Sequence, residues 1–139
     1  MLISGAILHD IAKTVEFDVG ETGIASGYTV EGNLIGHLVM GAMMVKEAAK
    51  KLAIDNEKSM LLQHMIISHH GEPEFGAAVR PLFLEAELLS QLDSMDATVY
   101  EIMDAVSNVQ QGEFTNRLWA LDDRKFYRYN DATLKVDIL

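Results

Sequence analysis

Six residues are of the types that hold a divalent cation, in the order His9-Asp10, His37, His69-His70, Asp93. Imidazoles and carboxylates are usual ligands for such ions, and facing helices can supply them in sets. His9-Asp10 closes an apolar run from Leu2 to Leu8. An imidazole and a carboxylate at the end of a buried helix are costly unless something pairs with them. Successive helical residues are about 100° apart, so His9 and Asp10 point to adjacent faces and both can reach one site. A carboxylate placed there can bridge two ions. His69-His70 is a similar adjacent pair at the end of another helix. Asp93 lies beside an apolar stripe, one turn from Leu89 and from Asp96. His37 sits among Leu34, Ile35, Gly36 and Leu38 with no obvious polar partner in sequence.

Each residue alone has a plainer reading. His37 can be a satisfied core histidine, Asp10 a helix-terminal carboxylate and Asp93 a solvated edge charge. His69-His70 can cap the last carbonyls of their helix. Jointly these readings are less plausible, because four of the five histidines fall at helix ends or in apolar surroundings. His64 is the exception. It points roughly 120–140° away from His69 and His70 and stays outside the ligand set, free to bond a neighbour.

Helices joined by loops must position these groups. Met1 to Lys13 reads as the end of a helix. It is apolar from its first position and carries no capping residue, the expectation for a chain truncated at its N-terminus. Thr14 to Gly32, with Gly20, Gly23, Gly27 and Gly32, reads as a long loop of the kind that serves as a lid. A second helix is expected from Asn33 to about Ala53, burying Leu34, Leu38, Met44, Val45 and Ala48. Gly36 and Gly41 weaken it but permit close approach of a neighbour. Asp55 or Asn56 caps a third helix reaching His70, and Gly71 and Pro73 stop it. Pro81 opens a fourth helix to about Val109, with the stripe Leu88, Leu92, Met95, Val99, Ile102 and Val106. Beyond Gln110 the pattern is less regular. Residues 117–121 suit a short helix, and Phe126, Tyr127 and Tyr129 a packed tail.

The 139 residues suffice for one domain with one core. There is no cysteine, which excludes disulfides, thiolate zinc sites and a cysteine nucleophile. Zero cysteine fits a cytoplasmic protein, and no apolar run reaches the ~18 residues of a membrane span. The formal net charge is −10. Proteins that grip nucleic acid by their own surface are usually basic, so any such grip here comes from elsewhere.

The local words resemble the HD superfamily of metal-dependent phosphohydrolases. They are Leu8-His9-Asp10-Ile11-Ala12-Lys13, Ser68-His69-His70-Gly71 and Leu92-Asp93-Ser94-Met95-Asp96-Ala97. Further phrases are closer still to the YhaM-type 3′-5′ exoribonucleases, once described as CMP-binding factors. These are Tyr28 to His37, Glu74-Phe75-Gly76 followed by Val79-Arg80-Pro81, and Gly112-Glu113-Phe114-Thr115. The likeness covers nearly the whole chain.

The resemblance implies an all-α HD-domain helical bundle over residues 1–139 with a divalent site, often manganese, of one or two ions. By it His9, Asp10 and Asp93 would hold one ion, and Asp10, His37, His69 and His70 a second. Asp10 and Lys13 would be catalytic, with Lys13 near the scissile phosphate and Arg80 on the substrate backbone. An OB-fold domain upstream would grip single-stranded RNA. HD proteins use one further histidine before the dyad, and none precedes His9 here, in keeping with the truncation reading. The expected consequence is weak or no RNA hydrolysis by this chain alone. A nucleotidase cutting free nucleotides and a non-catalytic HD module are the alternatives. A homo-oligomer is compatible with the sequence, which does not fix the assembly state.

Overall fold

A computed structural model describes residues 1–130 of the chain. They form two compact units, residues 1–93 and 94–130. The fold is a helical bundle with one small antiparallel hairpin.

The first unit opens with α1, Leu2–Leu8, and a turn through His9 to Ala12 leads into α2, Lys13–Glu16. The segment expected to be a lid-like loop is instead structured. Strand β1, Phe17–Val19, pairs antiparallel with β2, Ala25–Tyr28, and Phe17 faces Tyr28 with ring centroids 4.9 Å apart. The glycines that suggested a loop supply the reversal, with Gly23 at φ +76°. The hairpin returns the chain to α2. Thr29 N donates to the Glu16 carbonyl at 2.9 Å, and Thr29 Oγ1 donates to the Val15 carbonyl at 3.0 Å.

Thr29 also caps α3, Val30–Lys51, its Oγ1 accepting from Gly32 N at 2.9 Å. The helix therefore begins three residues earlier than expected. Gly36 interrupts it at φ 75°, ψ 155°. That break resets the helical phase, so the buried residues are Gly32, Met40, Gly41, Val45 and Ala49. Of the expected face only Val45 is buried, and Leu34 is 80% exposed. Gly41 does permit close approach: a Cβ there would lie 3.1 Å from Ile66 Cγ2.

Asp55 caps α4, Asn56–Ser68, its carboxylate accepting from Glu57 N and Lys58 N. Gly71, at φ +77°, ends the run after His69 and His70. A 3-10 turn, Pro73–Phe75, follows. The last helix, α5, spans Leu84–Ser107 and so starts three residues after Pro81, not at it. The backbone N–H of Leu82 donates to His64 Nε2 at 3.0 Å, holding the lead-in outside the helix. His64, beside Phe83, thus has the neighbour its position suggested.

The core of this unit is Met65, Ala86 and Leu89, with Leu2, Leu62 and Phe83 packed on it. Gly5 is buried where a Cβ would strike Met65. On α5 the buried positions are Ala86, Leu89 and Ser90. Leu88, Leu92, Met95 and Val99 of the expected stripe are all at least 40% exposed. The face of small residues carries the helix into the core, and Asp93 follows Leu89 and Ser90 by one turn on that side.

In the second unit Phe114 bridges Tyr127 and Leu118 bridges Arg124, both antiparallel. The expected short helix is a 3-10 turn over Trp119–Leu121, with Leu121 buried and Trp119 exposed. Of the tail aromatics Phe126 is half-buried, whereas Tyr127 and Tyr129 are exposed. No helix of the described residues is long and apolar enough to cross a membrane.

Candidate metal centre

Four imidazoles pack edge on edge. Ring centroids are 4.8 Å apart for His9–His69, 4.4 Å for His69–His70 and 5.2 Å for His37–His70. Each Nδ1 faces an acceptor. His9 Nδ1 lies 3.0 Å from the Ala6 carbonyl, His69 Nδ1 2.8 Å from that of Ile66, and His70 Nδ1 2.9 Å from that of Phe75. His37 Nδ1 lies 3.1 Å from Glu16 Oε1. A carbonyl or carboxylate oxygen only accepts, so in each ring Nδ1 carries the hydrogen and the Nε2 lone pair is left for the interior.

Three of those lone pairs, on His9, His37 and His69, face Asp10. Its Oδ1 lies 3.5 Å from His37 Nε2 and 3.7 Å from His69 Nε2, and its Oδ2 3.5 Å from His9 Nε2. Asp93 Oδ1 lies 3.6 Å from His9 Nε2 on the other side. Two ligands about 2.1 Å from one ion at a tetrahedral angle stand about 3.4 Å apart. Two sets, His37-His69-His70 and His9-Asp10-His69, each bring their ligand atoms within 4.8 Å of one another. Asp10 Oδ1 and His37 Nε2 are buried and have no hydrogen-bond partner among the described residues. Two facing acceptors without a proton repel, and a cation removes the conflict. The donor set fits a divalent ion.

The electrostatics agree. Burial pushes the His69 pKa from 6.5 down to about 4, helped by the neighbouring His70 and His9 and opposed by the Ile66 hydrogen bond and by Asp10. The ring is therefore neutral and able to ligate near neutral pH. Burial works to raise the Asp10 pKa, but the Lys13 hydrogen bond and charge, with His9 and His69, outweigh it and the net shift is downward.

Lys13 Nζ sits 2.7 Å from Asp10 Oδ2, at the edge of the cluster. Arg80 is not brought to it. Its Nη2 pairs with Glu72 Oε2 at 2.6 Å on the surface. Asp96 is exposed. A groove of about 1170 Å³, lined by Met43, Lys46, Asp55 and Met60 among others, holds none of the six residues.

Sequence reasoning missed Glu16, which fell inside the stretch read as a long loop. It is 5% exposed, and its Oε1 accepts from both His37 N, at 2.9 Å, and His37 Nδ1. It is the polar partner that His37 lacked in sequence. The signal was a carboxylate flanked by Val15 and Phe17.

Helices that turn a His-Asp pair, a His-His pair and a lone Asp into one cleft define a class of metal-binding domain. The HD domain family model matches residues 2–98, and the chain belongs to that family. Among curated proteins it is 42% identical over 128 residues to the 3′-5′ exoribonuclease YhaM of Bacillus licheniformis, covering 92% of this chain and 40% of that one. The protein of the same name from Bacillus subtilis is 41% identical over 92% of this chain and 40% of its own length. That of a Geobacillus strain is 40% identical, over 92% and 39%. The chain thus spans about 40% of the length of the curated relatives it matches. No solved structure gives a significant match.

Proposed function

We propose that this chain is the hydrolytic domain of a metal-dependent 3′-5′ exoribonuclease. The observation that carries the reading is the Asp10 carboxylate faced by the Nε2 atoms of His9, His37 and His69, with His70 completing a second ligand set beside it. In this reading residues 1–139 act as one domain. His9, Asp10 and Asp93 hold one ion and Asp10, His37, His69 and His70 a second, manganese by preference. Names of the relatives support single-stranded RNA as substrate.

A bound pair of divalent ions would supply an acidified water and charge stabilisation at the phosphate. The chain's own part is positional. Asp10 faces both ligand sets through its two oxygens. Lys13 holds Asp10 Oδ2 and places a positive charge beside the cluster, where it would offset negative charge on phosphoryl oxygens. Arg80, two-thirds exposed, would release Glu72 to reach the RNA backbone. The net charge of −10 repels RNA, so an OB-fold domain upstream would supply affinity. A cytoplasmic setting follows from such a substrate, and homo-oligomerisation would add binding surface.

The test is a 5′-labelled single-stranded RNA incubated with the protein and manganese, with free nucleotides assayed in parallel. Shortening from the 3′ end, weak for this chain alone, should disappear in Asp10→Asn and with chelator. Shortening that survives Asp10→Asn contradicts the assignment. Cleavage of free nucleotides alone would favour a nucleotidase.

A further inference from the structure

We infer that Glu16 is a positioning residue that fixes the tautomer and aim of His37, and so makes the two candidate ion positions unequal. The inference rests on the metal-binding reading above.

It starts from the backbone. Inside a regular helix His37 N would donate to the carbonyl of Asn33. Gly36, at φ 75°, ψ 155°, breaks that ladder within α3 and leaves the His37 N–H without its helical acceptor. Glu16 Oε1 takes its place at 2.9 Å. The same oxygen lies 3.1 Å from His37 Nδ1. One carboxylate oxygen therefore grips both the main chain and the ring of a single residue. With two anchors the imidazole is fixed in orientation as well as in tautomer, and its Nε2 is turned onto Asp10 Oδ1.

Glu16 is itself held. Its carbonyl accepts from Thr29 N at 2.9 Å, and Thr29 is the cap of the helix that carries His37. A Cβ on Gly32 would collide with that same carbonyl, so the start of α3 lies directly against Glu16. The hairpin between residues 17 and 28 closes the loop that brings the two together.

The four histidines are not alike in this respect. His9, His69 and His70 give their Nδ1 hydrogens to neutral peptide carbonyls of Ala6, Ile66 and Phe75. Of the four, His37 alone turns its Nδ1 to a carboxylate. A carboxylate behind an imidazole makes the far nitrogen a better donor to a metal, and losing such a partner typically lowers metal affinity about 10–100-fold. His37 belongs to the set with His69 and His70, and not to the set with His9 and Asp10. The effect should fall on one ion and spare the other.

The test combines long-range proton–nitrogen spectra of the metal-free protein with calorimetric manganese titration of the unaltered chain and Glu16→Gln. Glutamine keeps an acceptor oxygen in nearly the same shape and removes the charge. In the unaltered chain His37 should be a single Nδ1–H tautomer. In Glu16→Gln the tautomers should mix, and one of two manganese affinities should fall about tenfold or more while the other stays within about threefold. An unaltered chain with a mixed or Nε2–H His37 overturns the proposal even if the variant does not fold. Two affinities falling alike, or neither, overturns it as well. An unaltered chain that binds no manganese refutes the metal reading, a result distinct from the tautomer outcome.

Discussion

The depressed pKa of His69 makes the metal-free protein acid-sensitive in a defined window. His69 is 1% exposed and its pKa falls from 6.5 to about 4. Between those values the unfolded chain takes up a proton that the folded ring refuses. Stability is then full above pH 6.5, falls as pH drops towards 4, and levels off below. The full span corresponds to about 3 kcal/mol, most of which is lost by pH 4.5. Asp10, with its pKa below 3.8, contributes its loss only at lower pH. His69→Asn removes the titration while its amide can still donate to the Ile66 carbonyl. Urea unfolding with chelator present, at pH 7 and pH 4.5, compares the two proteins. The unaltered chain should lose clearly more stability than the variant between the two pH values, by most of that amount. Equal losses would refute the claim that the ring is held neutral by burial.

Other outcomes follow from the same structure. Asp10→Asn should abolish manganese binding in calorimetry, whereas Asp96→Asn, on an exposed position, should leave it nearly unchanged; equal loss would mean the wrong aspartate was chosen. Gly36→Ala should lower stability by about 1–3 kcal/mol in thermal or urea unfolding, because φ 75°, ψ 155° is nearly closed to residues with a Cβ. Met65→Ala should cost about 2–5 kcal/mol, since the side chain is fully buried at the centre of the core. Lys13→Ala should retain manganese binding but slow RNA hydrolysis about 100–1000-fold, the scale of one lost charge-stabilising contact.

The ligand set was legible because its residue types are scarce and fall at helix ends. His9-Asp10, His37, His69-His70 and Asp93 could be picked out in order without knowing how the helices cross. Caps were legible too, as at Asp55, where a short polar side chain precedes a helix. What periodicity could not reveal was phase. Gly36 interrupts α3, so the face extrapolated from Leu34 and Leu38 does not continue beyond it. On α5 the large apolar residues drew attention from Ala86 and Ser90, the small ones that allow close packing. Glu16 was hidden for a different reason. Its partner lies 21 positions away across a hairpin, and a contact of that kind leaves no local pattern.

The claim that these residues form a metal centre is tested most directly by anomalous diffraction at the manganese edge from crystals grown with manganese. The account predicts density within about 2.0–2.4 Å of the Nε2 atoms of His37, His69 and His70 and of the carboxylate of Asp10. Manganese bound only elsewhere on the chain, with this cluster vacant, would contradict it.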